Sequence, residues 1–139
     1  GARETAKTHV AIAEKTQRKN TPTDPPAAIL TGGETTVTVT GDGIGGPNQE
    51  FALAAAIELP SHTALCAIDT DGFDGPTDAA GATVTATTVD EPSTARTALN
   101  ANNVYPFLDD HAALMLSTEG ATGTNVNDLR VLTVLTEDT

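Results

Sequence analysis

The sequence predicts an α/β fold, a three-layer α/β/α sandwich with a mixed sheet. Runs with apolar residues at helical spacing alternate along the chain with short runs that are apolar throughout or at every second position. One or two of the strand-like runs have hairpin-like neighbours, so the sheet is expected to be mixed rather than purely parallel. A length of 139 residues fits one domain, which we place at residues 1–139.

The first part of the chain predicts a helix followed by two strands. Ala2, Ala6 and Val10 fall on one face of a helix, with the charged residues mostly elsewhere. The segment 20–26 holds three prolines and ends this helix. Threonine and valine then alternate, which is typical of a strand with one apolar face. The predicted elements are a helix at 2–19 and strands at 27–31 and 35–40.

A glycine-rich turn and a second helix follow. Pro47 suits the first turn of that helix, and Pro60 stops it. The next strand is nearly all apolar, as expected inside a covered sheet. It leads into a loop at 69–78 that is dense in Asp and Gly. The remaining predicted elements are strands at 64–68, 82–88, 114–116 and 129–135, and helices at 92–99 and 105–111.

The charge balance is the strongest compositional signal. Nineteen acidic residues oppose seven basic ones, for a net charge of −12. No basic patch is visible, so binding to nucleic acid or to anionic lipid is not expected. The excess of acids predicts a salt-rich cytoplasm, where ions screen the self-repulsion of the fold. Aromatic residues make up only 3%, so the core is expected to be aliphatic.

Cysteine usage and hydropathy narrow the class further. The single cysteine, Cys66, cannot form an internal disulfide and lies in an apolar run, where an inert buried thiol is expected. No Cys/His cluster has metal-ligand spacing, and no run has the length of a membrane span or the pattern of a signal peptide. We therefore expect a cytoplasmic location. Because the chain begins within an apparent helix, we also expect it to be a fragment of a longer polypeptide.

The turn after residue 40 matches a dinucleotide-binding fingerprint. Gly41, Gly43 and Gly46 have the G-x-G-x-x-G spacing, and Asp69 follows at the end of the next strand. Against an NAD site, the preceding strand is half threonine and Glu50 would meet the pyrophosphate. The length also leaves little room for two mononucleotide-binding halves. A lone match of this kind is weak evidence.

Four polar loops lie where predicted strands end or begin, and ligands in open α/β sheets collect at such points. Backbone amides in these loops could hold phosphate, and Asp or Asn side chains could hold Mg²⁺. No Walker loop occurs, and the Asp-rich loop departs from an EF-hand because Phe73 and Asp74 stand at its fifth and sixth positions. Purely structural turns are the alternative. The loops are 32–36, 41–50, 69–78 and 122–128.

Three segments carry a resemblance to a known family. ILTGGETTVTVTGDGIGGPNQEFALA, TDGFDGPTDAAGA and TGTNVNDLRVL, in this order, resemble the MOFRL domain, the C-terminal half of class II glycerate 2-kinases. ANNVYPF is similar to a further family segment, so the resemblance covers essentially Ala2 to Leu135. Relatives in this family are often labelled hydroxypyruvate reductase.

The resemblance implies transfer of the γ-phosphoryl group of ATP, with Mg²⁺, to the 2-hydroxyl of D-glycerate. It also implies a partner, an N-terminal Rossmann-like domain of the same polypeptide that faces this domain across a cleft and is absent here. Pro47 stands where many relatives have arginine, so a cation for the transfer must come from elsewhere. A homodimer is left open. We expect the isolated chain to have no kinase activity and to bind no cofactor tightly.

Candidate site residues follow from the matched motifs. The candidate catalytic residues are Asp71, Asp78 and Arg130. Asp71, Asp74 and Asp78 are assigned to a position near Mg²⁺ or to orienting the acceptor, with a purely structural turn as the alternative for at least one of them. Arg130 is assigned either to the glycerate carboxylate in a forked pair or to a structural bridge with Asp128. Glu50 is assigned either to catalysis or to a helix cap. His9, His62 and His111 are expected at the surface. Asp71, Asp74 and Asp78 are the candidate metal ligands. The residues expected to bind substrate or phosphate are Gly32, Gly33, Glu34, Thr35, Gly45, Gly46, Asn48, Gln49, Thr122, Thr124, Asn125, Asn127 and Asp128.

Three functional hypotheses therefore stand beside one another. The first is a domain of an ATP-dependent glycerate 2-kinase, and the second a domain of an NAD(P)H-dependent hydroxypyruvate reductase. The third is a non-catalytic structural or interaction domain. All three depend on whether the four polar loops meet on one side of the sheet.

Overall fold

The computed structural model describes residues 1–136, which form helices on a five-stranded sheet. No helix in that range is both long and apolar enough to cross a membrane. The elements are α1 (Ala2–Lys19), β1 (Ala27–Gly33), α2 (Pro47–Ala56), β2 (Thr63–Asp69), β3 (Ala79–Thr85), α3 (Pro92–Asn100), α4 (Val104–Asp110), β4 (Leu114–Leu116) and β5 (Asp128–Val134).

The α/β class is confirmed, but the sheet is antiparallel throughout rather than mixed. Its strand order is β1-β5-β2-β3-β4, and every neighbouring pair is antiparallel. β1 and β2 run in the same direction but do not pair, because β5 lies between them and runs opposite to both. Hydrophobic periodicity identifies strands and carries no information on their order, so the insertion of the last strand was not predictable from it.

The core lies between one face of the sheet and the helices. Leu65 and Leu132 from the central strands pack with Phe51 and Leu53 of α2, and all four are fully buried. α1 packs beside α2, and α3 and α4 pack against α2 rather than against the opposite face of the sheet. The helices of the described chain thus cover one face, whereas the sequence predicted a layer on each.

The predicted strand at 35–40 is not observed, since this segment is irregular and pairs with no strand. Its polar backbone groups bond to helix ends instead: the Ala2 amide donates to the Thr36 carbonyl at 2.9 Å, and the Thr40 amide donates to Asn102 Oδ1 at 2.6 Å. The alternation of threonine and valine indicated a strand here, and that prediction is wrong, because alternation carries no information on what the backbone will bond to.

Candidate functional site

The four polar loops meet at one end of the sheet, as predicted. The end of β1 and the end of β2 flank the start of β5, since Gly33 and Asp69 are both register partners of Asp128. The loop before α2 joins them through Asn48, whose side-chain amide donates to Asp128 Oδ1 at 3.0 Å. We call this region, residues 32–36, 41–50, 69–78 and 122–128, the loop cluster.

Asp74 holds the N-terminus of α2. Its buried carboxylate accepts the backbone amides of Asn48 and Gln49 at 2.9 and 2.8 Å, and the Asn48 side-chain amide at 3.1 Å. Burial raises the pKa of Asp74, and these hydrogen bonds oppose the rise. The two amides that were predicted to face phosphate are therefore already bonded to a carboxylate of the protein itself, at the helix end where an anion is favoured.

The glycine-rich turn packs against the protein rather than around a ligand. The amides of Gly41 and Gly43 donate to Asn102 Oδ1 and to the Ala101 carbonyl, both at 2.9 Å. A Cβ at Gly46 would come within 2.5 Å of Asp74. These glycines permit close approach of the turn to the α3–α4 corner and to Asp74. The fingerprint spacing has a packing explanation here, which weighs against a dinucleotide site.

Glu50 is buried in the first turn of α2 and is bonded to side chains, not to a loop amide. Arg3 of α1 forms an ion pair with its Oε1 at 3.3 Å, and the Asn102 side-chain amide donates to its Oε2 at 2.9 Å. Glu50 thus ties α1 and the α3–α4 corner to α2, and the predicted helix-cap role is not observed.

The predicted metal trio is not assembled. Asp71 Oδ1 accepts the Phe73 amide at 2.9 Å, and Asp78 Oδ1 accepts the Tyr105 hydroxyl at 2.7 Å, whereas Asp74 is turned inwards under α2. Residues 1–136 contain no group of three or more His, Cys, Asp or Glu side chains that could hold a metal ion. The density of Asp in this loop reflects turn formation and helix anchoring.

Asp69, Asp71 and Asp128 form a second set of neighbouring carboxylates. Asp69 and Asp128 are register partners, and Asp69 Oδ1 accepts the Asp71 amide at 3.1 Å. Burial raises the pKa of Asp69, and the neighbouring charges of Asp71 and Asp128 raise it further. Negative charge is therefore concentrated where β2 ends and β5 begins.

Arg130 lies under the loop cluster, almost fully buried. Its Nε donates to Thr31 Oγ1 at 3.1 Å, its Nη2 donates to the Gly32 carbonyl at 2.7 Å, and its guanidinium stands 5.1 Å from the centre of the Phe51 ring. Burial lowers the pKa of Arg130, and the charge of Asp128 opposes this. The predicted bridge to Asp128 is thus an electrostatic attraction, while the direct hydrogen bonds go to β1.

Buried polar atoms without a hydrogen-bond partner within residues 1–136 collect around Asp128. They include Nη1 of Arg130, Oδ1 of Asn48 and Oγ1 of Thr35, and the backbone amide of Thr35 donates to Asp128 Oδ2 at 3.4 Å. Buried polar groups are normally satisfied, so these three atoms are able to bond a water molecule or a polar ligand. They combine one cationic donor with a hydroxyl and one amide oxygen. A fourth atom, Gln49 Oε1, belongs to a side chain whose amide donates to Thr77 Oγ1 at 2.8 Å.

The last loop closes the cluster on its outer side. The Thr122 amide donates to the Asp71 carbonyl at 3.1 Å, and the Thr70 hydroxyl donates to the Asn127 carbonyl at 2.7 Å. Thr124 and Asn125 bond within the loop, and both are exposed. Gly32, Gly33 and Glu34 are exposed at the rim, and Gly45 is half-buried.

The burial of two polar residues near the loop cluster was not predicted from the sequence. His9, predicted at the surface, is buried: its Nε2 lies 2.7 Å from Thr31 Oγ1 and its Nδ1 lies 2.9 Å from the Thr5 carbonyl. Because a carbonyl only accepts, Nδ1 carries the proton and Nε2 accepts from Thr31. The helical spacing of positions 2, 6, 9 and 13 on α1 could have predicted the burial of His9. No sequence pattern predicts the burial of Asn102, because its bonding partners are all distant in sequence.

Comparisons with known proteins identify a matching family and several relatives of this chain. The MOFRL family model matches residues 27–128. A D-glycerate 2-kinase from Thermotoga maritima is 44% identical over 92% of this chain and 32% of its own length. A protein from Agrobacterium vitis with a provisional hydroxypyruvate reductase name is 38% identical over 96% of this chain and 32% of its own. The crystal structure of a glycerate kinase from Thermotoga maritima superposes with a TM-score of 0.90 at 42% identity, covering 96% of this chain and 33% of that one. The chain thus spans about a third of the relatives it matches.

Proposed function

The chain belongs to the MOFRL family, and from this premise we propose that it forms one wall of the active-site cleft of a two-domain, ATP-dependent glycerate 2-kinase. The second wall is an N-terminal domain of the same polypeptide. The proposal accords with relatives named as glycerate kinases, of which this chain covers about a third. A cytoplasmic location stays a prediction, and a homodimer stays open.

The observation that carries the proposal is the convergence of four loops on Asp128, with unsatisfied polar atoms beside it. Arg130 Nη1 and the Thr35 hydroxyl can donate to a carboxylate, while Asn48 Oδ1 can accept from a hydroxyl. A small hydroxy acid such as glycerate presents both kinds of group. We assign these atoms to binding the acceptor, with Asp71 and Asp78 at the rim as acceptor-orienting carboxylates.

The charge of the domain supports its assignment as one half of the site. Phosphoryl transfer needs positive charge around the transferring oxygens, and both ATP and glycerate are anions. This chain has a net charge of −12, and position 47 in the glycine-rich turn is proline. The stabilising cations must therefore come from the facing domain. Activity in the two-domain parent and none in the isolated chain is the expected result.

The residues of this chain do not fit a Mg²⁺ site of their own. Asp74 is taken up by the N-terminus of α2, and no group of three ligating side chains is formed by residues 1–136. The same helix end offers its amides to Asp74 and not to a nucleotide phosphate. We assign the metal and the nucleotide phosphates to the facing domain.

A coupled assay on the two-domain parent tests the proposal. ATP with D-glycerate should give ADP, and NADH with hydroxypyruvate should not be oxidised. The turn at Gly41 and Gly43, bonded to Ala101 and Asn102, is the structural reason to expect no nicotinamide site. Oxidation of NADH without kinase turnover would favour the reductase, and neither activity would favour a structural domain.

Two arginine-to-lysine variants test the acceptor assignment in the same assay. Arg130→Lys keeps the charge but removes the unpartnered Nη1 donor, so the KM for glycerate should rise about tenfold while the KM for ATP changes little. Arg18→Lys, at an exposed position of α1, is the matched control and should behave as wild type. Equal changes in both KM values would contradict the assignment.

A further inference from the structure

The sheet has a second face that the described helices leave uncovered. Leu30, Val131, Cys66 and Thr83 are successive register partners across four strands and form one row on it. Met115 of β4 extends the row, since its sulfur accepts from Cys66 Sγ at 3.1 Å and from Thr83 Oγ1 at 2.8 Å. The open face comprises Ala28, Leu30, Ala64, Cys66, Ile68, Thr83, Thr85, Met115, Leu129, Val131 and Thr133.

The open face carries no charge, although the chain has 19 acidic and seven basic residues. The strands contain only three charged residues, Asp69, Asp128 and Arg130. Asp69 has the same parity in β2 as the core residue Leu65, and Asp128 and Arg130 have the same parity in β5 as the core residue Leu132. Because residues two positions apart share a face of the sheet, all three belong to the face that the helices cover. The open face is therefore neutral from β1 to β4.

The residues of the open face are also too apolar for a solvated surface. An antiparallel sheet with one face in water normally alternates apolar and polar residues. β2 instead has Ala64, Cys66 and Ile68 on the open side, and its neighbour β5 has Leu129 and Val131 there. Leu30 is 63% exposed and Met115 is 39% exposed. The strands have the composition of a sheet covered on both sides.

We infer that the open face is covered by the apolar side of amphipathic helices from the remaining two-thirds of the parent polypeptide. This rests on the proposed two-domain parent, and it concerns a surface other than the loop cluster. A charge-free face calls for a charge-free partner surface, and a layer of helices would complete the three-layer sandwich. A second copy of the chain is a poorer occupant, because each copy has a net charge of −12 and two copies repel.

Cys66, the only cysteine in the chain, lies in the central row of the open face. The accessibility of its thiol therefore shows whether the open face is covered. The rate of its reaction with a thiol reagent such as DTNB is measured under native conditions in the 139-residue chain and in the parent. We expect reaction in the chain alone and at least tenfold slower reaction in the parent. If the parent carries other cysteines, they are replaced by alanine or serine first.

A control thiol distinguishes covering of the open face from general differences in thiol reactivity between the two proteins. Ser93→Cys in a Cys66→Ala background lies on α3, exposed and away from the sheet, and should react equally fast in both proteins. In parallel, Leu30→Lys should leave the unfolding midpoint of the chain alone nearly unchanged and lower that of the parent. Ala11→Lys, exposed on α1, should lower neither.

The outcomes decide the inference independently of the kinase proposal. Equal Cys66 rates in chain and parent would overturn it even if the parent is an active kinase, and protection in the parent would support it even if no kinase activity is found. Slow labelling of the chain alone, with a dimer in analytical ultracentrifugation that Leu30→Lys dissociates, would show that a second copy covers the face and would also overturn it.

Discussion

Asp74 Oδ1 accepts hydrogen bonds from both the backbone amide and the side-chain amide of Asn48, at 2.9 and 3.1 Å. Asn48 in turn donates to Asp128, so one buried side chain joins the loop after β2 to the start of β5. The loop cluster is thus supported by a carboxylate that the sequence had predicted to be a metal ligand.

Asp74→Ala should destabilise the chain by about 2–4 kcal/mol, because it leaves buried amides of α2 without their charged acceptor. Asp74→Asn retains one acceptor oxygen and should cost less. Urea unfolding followed by circular dichroism measures both. Asp24→Ala, at an exposed position, is the control and should stay within about 0.5 kcal/mol of wild type. Equal stability of Asp74→Ala and Asp24→Ala would show that Asp74 does not anchor the helix.

Gly46→Ala should destabilise the chain by about 1–3 kcal/mol for a steric reason. Gly46 has an extended backbone that alanine accepts, but the new Cβ would stand 2.5 Å from Asp74. Gly32→Ala is the matched control, because its Cβ would meet the Asp128 carbonyl at an ordinary 3.5 Å. Differential scanning calorimetry compares the two, and a Gly46→Ala chain as stable as the control would refute the packing explanation for this glycine.

The sequence predicted the elements and the meeting of the loops better than it predicted the roles of residues within them. α1, β4 and the strand cores of β1, β2 and β5 carry their own periodicity, so they were predictable locally. The role of Asp74 depends on Asn48, 26 positions away, and the role of Asn102 depends on residues about 60 positions away. Such partners are set by the tertiary fold, and the polar residues of a motif look alike whether they bind a ligand or a helix end.

His9 should make stability depend on pH. Burial lowers its pKa below the ordinary value of about 6.5, and the charge of Arg130 contributes, while the bond to the Thr5 carbonyl opposes the shift. In the window between the folded pKa and 6.5 the unfolded chain binds more protons. The contribution of His9 to the free energy of unfolding is therefore complete above pH 6.5 and is lost as the pH falls through the folded pKa.

Urea midpoints measured from pH 7.5 to pH 5 check this. His9→Gln has no group that titrates here, so its curve should be flatter than that of wild type over this window. The exposed His62 gives the control His62→Gln, which should keep the wild-type slope. Parallel curves for wild type and His9→Gln would exclude His9 as the source.

Added KCl should stabilise the chain. The repulsion within a domain of net charge −12 is screened as the Debye length falls from about 10 Å at 0.1 M to about 3 Å at 1 M salt. The urea midpoint should therefore rise over this range of KCl concentration. Sucrose at the same osmolality is the control, because it is excluded from the protein surface but does not screen charge. A midpoint independent of KCl would refute the prediction of a salt-adapted fold.

Asn102 should control the order of the glycine-rich turn. Its Oδ1 accepts the amides of Thr40 and Gly41, and its side-chain amide reaches Glu50 and the Thr38 carbonyl. Because Asn102 has a φ of 52°, Asn102→Gly removes the side chain without backbone strain. Losing a hydrogen bond of about 1 kcal/mol per amide should speed native-state hydrogen exchange at Thr40 and Gly41 by roughly five- to tenfold. Asn103→Ala is the reciprocal control, because Asn103 Oδ1 accepts only the Ile44 amide among the described contacts and should speed exchange there alone. A uniform rise at all three amides in both variants would mean that the turn opens as one unit and that neither asparagine holds it locally.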